Sequence, residues 1–81
     1  MAIPIDNEQQ AMAAIDAWRS EPLRAQRRYL QEALESLEMS AMYYEQKGST
    51  QGQARAARCL ALILTRQGEV EVAATNVAGN C

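Results

Sequence analysis

Two cysteines, Cys59 and Cys81, and the carboxylates Glu32, Glu35 and Glu38 come nearest to a catalytic set in this 81-residue chain, which contains no histidine. A nucleophilic thiol needs a base or a positive neighbourhood to ionise it. Cys59 instead opens the apolar run Cys59–Leu64, a setting that raises a thiol pKa. Carboxylates three residues apart on a helix form the ordinary solvated side of an amphipathic element. A zinc site would have to be assembled from scattered acids, without the histidines or close cysteine pairs that such sites use. One pair of cysteines behind an N-terminus without export features is weak ground for a disulfide. The chemistry therefore predicts no enzyme, no cofactor and no metal.

Binding chemistry is better represented. Arg19, Arg24, Arg27 and Arg28 cluster early in the chain, with Tyr29 beside them to stack on a base. That is the anionic-partner reading, in which guanidinium groups neutralise phosphates. Against it stands a formal net charge of -2, the wrong sign for a chain whose main task is phosphate neutralisation. Asp16, Glu69 and Glu71 are available to pair with these arginines, so nucleic acid is the alternative and not the first expectation. A helix-turn-helix also fails on element length, since no short helix is followed by a recognition helix.

Met39, Met42 and Tyr43 form the second binding candidate. On a wheel of ~100° per residue, Leu23, Leu30, Leu34, Leu37, Ala41 and Tyr44 share one narrow stripe that must face the core. Met39, Met42 and Tyr43 fall on the opposite side of the same element, where Arg24, Arg28, Glu32 and Glu35 stand in its first half. A monomeric bundle needs only one apolar side, and methionine adapts to irregular partner surfaces. These three residues predict a protein-binding surface for a second copy or a larger target, with a homo-oligomer expected.

Three helices must position these groups. Asp6 with Gln9 has the form of a capping box that opens helix 1, over about 7–19, with Ala11, Met12, Ala14, Ile15 and Trp18 as its buried stripe. Ser20-Glu21-Pro22 breaks the chain and starts helix 2, with Ser20 as cap and Pro22 in the first turn. Helix 2 runs over about 21–47, until Gly48 stops it after Lys47. Its leucines stand seven apart like a coiled-coil seam, but Gln26 and Ser40 interrupt the heptad, which favours packing within its own bundle. Gly48–Gly52 is a flexible connection in which Ser49 or Thr50 caps helix 3, over about 50–67, and Gly68 ends it. In the tail, 69–81, Glu69–Val72 alternates like a strand, but Val70, Ala73, Ala74 and Val77 have helical spacing, which favours a short, frayed fourth helix.

The resulting expectation is all-α: a single-domain, small antiparallel three-helix bundle with a long central helix. About 26 residues make helix 2 ~39 Å long, so it should overshoot its neighbours. Helix 1 should then fold back along residues 24–36 and leave the second half of helix 2 to helix 3. Leu60–Leu64 should lie where all three overlap. Arg55 and Arg58 should meet Glu38 and Glu45, and Arg27 and Arg28 should meet Asp16 or the tail glutamates. No apolar run approaches the ~20 residues needed to span a bilayer, and the N-terminus lacks a signal pattern, so a cytoplasmic protein is expected. These features suit a stoichiometric regulator, adaptor or inhibitor of the kind bacteria and phages encode.

Overall fold

The structure, a computed structural model, describes the backbone of residues 5–79 and the side chains of residues 5–75. Those residues form an all-α bundle of three helices: α1 (Glu8–Trp18), α2 (Leu23–Lys47) and α3 (Thr50–Gly79). Among the described residues no helix is long and apolar enough to cross a membrane. Cys81 and the side chain of Val77 lie outside the described residues.

Each end of a helix has a local cause. Asn7 caps α1, its Oδ1 accepting from the Gln10 amide at 2.9 Å, while Gln10 Oε1 accepts from the Asp6 amide at 2.6 Å. The reciprocal cap thus sits one residue later than Asp6 with Gln9. Ser20 does not cap α2: its hydroxyl donates to the Ala17 carbonyl at 3.3 Å and closes α1. Extended Pro22 precedes the helix with no side-chain cap, so α2 starts at Leu23 and not at Glu21. Gly48 ends α2 in the left-handed region at φ 71°, where its amide donates to Glu45 and Tyr44 carbonyls, the conformation in which glycine carries no Cβ penalty. Ser49 Oγ accepts from the Gly52 amide at 3.2 Å and caps α3.

The largest departure from the sequence expectation is α3. It passes through Gly68 without a break and takes up the tail, making it 30 residues long against 25 for α2. A glycine inside a helix costs only ~1 kcal/mol relative to alanine. Here burial of Val70, the Arg66–Glu69 pair at 3.1 Å and the Arg27–Glu71 pair at 2.6 Å hold the chain helical on both sides of it. The expected fourth helix is therefore the last turns of α3, and α2 is not the longest element.

Cross-links fix the arrangement. Gln31 lies against Gln67, and Arg27 against Glu71, so α3 runs antiparallel to α2. Glu8 at the start of α1 pairs with Arg58 at 2.8 Å, and the α1–α2 turn is tied to Arg66 through Gln26, so α1 runs parallel to α3. The buried cluster takes Ala11, Ala14, Ile15 and Trp18 from α1, Leu30, Ala33 and Leu37 from α2, and Cys59, Ile63 and Val70 from α3. α1 packs chiefly on α3, not along α2 as the turn alone suggested. The bundle measures 50 × 20 × 16 Å.

Two residues placed in the core by periodicity are outside it. Met12 is exposed, standing off the stripe of Ala11, Ala14, Ile15 and Trp18 that α1 buries. Leu64 is also exposed, so Leu60–Leu64 is not enclosed on every side. Arg58 pairs with Glu8 rather than with Glu38 or Glu45, and Arg55 lies 5.9 Å over the Tyr44 ring.

Candidate functional site

Tyr44 and its neighbour Tyr43 divide α2 between core and surface. Tyr44 is half-buried against the first turn of α3. A Cβ on Gly52 would collide with its ring, so glycine there is a requirement of close packing and not a mark of a flexible connection. Tyr43 meets the Tyr44 ring edge-on at 5.4 Å between centroids and points away from the core. Lys47 lies 5.7 Å over the Tyr43 ring, a cation–π contact that holds the ring in place while leaving it exposed.

With Tyr43 stand Met39 and Met42, so residues 39, 42 and 43 make a continuous apolar strip along the outer side of α2. Their exposures are 72%, 59% and 55%, which decides that no element among the described residues covers them. Two shallow depressions flank the strip, one of about 410 Å³ bounded by Ser36, Ser40 and Tyr44 and one of about 210 Å³ bounded by Gln46. The start of the described chain reaches this level of α2: Ile5 and Asp6 line a small crevice with Ser40 and Tyr44. They lie on the core side of the helix and leave Met39, Met42 and Tyr43 bare.

The arginine cluster has a different character. Arg19 pairs with Asp16 at 3.2 Å, and Arg27 pairs with Glu71 at 2.6 Å. Arg28 lies 5.5 Å over the Tyr29 ring, and Tyr29 stacks at 5.6 Å on buried Trp18. Tyr29 is thus occupied by the core face of the α1–α2 corner rather than offered to a base. Among the described residues only Arg24 of the four has neither an acidic nor an aromatic partner.

Cys59 is fully buried. Burial pushes its thiol above the ordinary 9.0, with the Glu8 carboxylate adding to the rise and Arg58 and Arg55 opposing it. Glu32, Glu35 and Glu38 are all exposed on α2. No group of three metal-ligating side chains is gathered among the described residues.

A buried polar junction lies where periodicity alone would place a leucine. Gln26 Nε2 donates to the Glu21 carbonyl at 2.8 Å, and its Oε1 accepts from Arg66 Nη2 at 2.9 Å. The glutamine that interrupts the heptad therefore joins the α1–α2 turn to α3. Its position in a leucine seam was the signal, since a buried polar residue must be hydrogen-bonded. Comparison with protein families, curated proteins and solved structures finds no match for the chain.

Proposed function

We propose that this protein acts without catalysis, by binding another protein through the outer strip of α2. The observation that carries the reading is the exposure of Met39, Met42 and Tyr43 together on a helix whose other side is already committed to the core. Residues 39, 42, 43 and 46 have the i, i+3, i+4, i+7 spacing by which a helix lays anchors into an apolar groove. Two methionines and a tyrosine provide large contact area, with a hydroxyl that reaches the polar rim of an interface. A small chain that binds in this manner works as a regulator, adaptor or inhibitor, in proportion to its target.

Retention of source-cell proteins on the immobilised chain, compared between wild type and Met39→Glu/Tyr43→Glu, tests this. A protein retained in stoichiometric amount by wild type and lost from the variant, with the helical circular-dichroism signal unchanged, supports the assignment. Equal retention by both would contradict it. The paired state of Arg19 and Arg27 favours no second reading: binding to heparin or DNA is expected to be weak even at low salt, and tight retention there would reinstate the anionic partner.

A further inference from the structure

A groove of about 600 Å³ opens between α2 and α3, and none of its lining belongs to α1. Buried Leu30 and Val70 form its floor, with Leu64 and Gly68 on one side and Arg27 and Gln31 on the other. The Gln31–Gln67 and Arg27–Glu71 contacts set the register of the two helices. In that register Gly68 stands level with Leu30.

Two patterns are symmetric about this level. On α3, Leu64 and Val72 lie four residues before and after Gly68. They are 52% and 60% exposed, and the space above Gly68 is open. On the exposed side of α2, Arg24 and Arg28 precede residue 30, and Glu32 and Glu35 follow it. Among the described residues none of these four forms an ion pair within the chain.

We propose that this face pairs with a second copy of the chain in a symmetric dimer, α2 antiparallel to α2 and α3 antiparallel to α3, with the two-fold axis crossing at Leu30 and Gly68. That rotation exchanges level 28 with level 32, and level 64 with level 72. Arg28 of one copy then stands beside Glu32 of the other, Arg24 comes within one residue of the level of Glu35, and Leu64 packs on Val72, each contact occurring twice. A parallel pairing would set arginine against arginine. Gly68, lacking a side chain, lets the two α3 helices approach at the crossing. The paired stretch is about four turns on α2, residues 23–37, and about six on α3, so the face buries on the order of 500 Å² per copy, the size of a weak, concentration-dependent interface. Residue 42 falls level with residue 18 of the other copy, outside α2, so the Met39–Tyr43 strip stays free and the dimer does not rest on the partner-binding reading.

Light scattering across a wide range of concentration at low salt tests the pairing. Wild type should have twice the chain mass. Arg24→Glu/Arg28→Glu and Glu32→Arg/Glu35→Arg should each be monomeric. Their equimolar mixture should regain the double mass, and so should the fourfold swap, which restores the native net charge. Met39→Glu/Tyr43→Glu should remain dimeric. A monomeric wild type, reversal variants that dimerise as wild type does, or a fourfold swap that stays monomeric would overturn the proposal. So would dissociation by Met39→Glu/Tyr43→Glu, which would assign self-association to the methionine strip.

Discussion

Gln26 shows how a single side chain can be structural while looking like an interruption. Its carbonyl oxygen is the acceptor for one Arg66 nitrogen, and its amide closes the turn after α1. Replacing it with leucine would satisfy the leucine repeat but strip a hydrogen bond from a mostly buried guanidinium, whose Nε already has no partner. Gln26→Leu is therefore expected to destabilise the fold by about 1–3 kcal/mol, the cost of unsatisfied buried polar groups, measured by urea denaturation. A stability equal to wild type would show that solvent serves Arg66 instead. Cys59 is the second residue with a definite consequence. The folded chain holds the thiol proton more tightly than the unfolded chain does, because burial first, and Glu8 second, disfavour the thiolate. Its contribution is fully present below pH 9 and is lost as pH rises through the elevated folded value. Cys59→Ala should flatten the alkaline limb of the stability curve, and in a Cys81→Ser background the thiol should react with disulfide reagents only as fast as the protein opens. Rapid reaction of the folded protein would contradict the burial.

At the scale of elements, the sequence made the three main helices, the αL stop at Gly48 and the core stripe of α2 legible, because each rests on local periodicity or on a backbone angle that only glycine adopts freely. The roles of Gly52 and Gly68, both inside α3, were not legible. Gly52 looks like loop punctuation and is instead the place where Tyr44 lies against α3. Gly52→Ala is expected to cost about 1–3 kcal/mol through overpacking, visible as a lower urea midpoint; an unchanged midpoint would mean that the ring swings aside freely. Gly68 looks like a stop, but local propensity is overruled by packing of Val70 and the ion pairs on either side. Gly68→Ala should stabilise dilute protein by about 0.5–1 kcal/mol, since the residue is helical, exposed and unobstructed. The position of α1 was equally hidden, for a turn fixes which helix follows but not which of two neighbours it packs against.

For the whole molecule, the candidate surface was readable because its logic is subtractive. Once the α2 stripe is assigned to the core, Met39, Met42 and Tyr43 have no internal use, and the fold leaves them bare at 72%, 59% and 55% exposure. The pairing of Arg27 with a tail glutamate was legible in the charge pattern, and Glu71 supplies it because α3 continues past Gly68. Charge and apolar surface are thus separated along the rod: self-complementary charges near the start of α2, and the methionine strip near its end. This separation predicts that salt weakens self-pairing more than partner binding, as exposed charge pairs are screened over a Debye length while apolar contacts are not.

The most direct test of the central claim is photo-crosslinking in the source cell, with a photoreactive residue placed at position 43 and, as a control, at exposed position 9 on α1. A dominant adduct between the chain and one other protein is expected from position 43 and none like it from position 9. No adduct from position 43, or the same adducts from both positions, would contradict it.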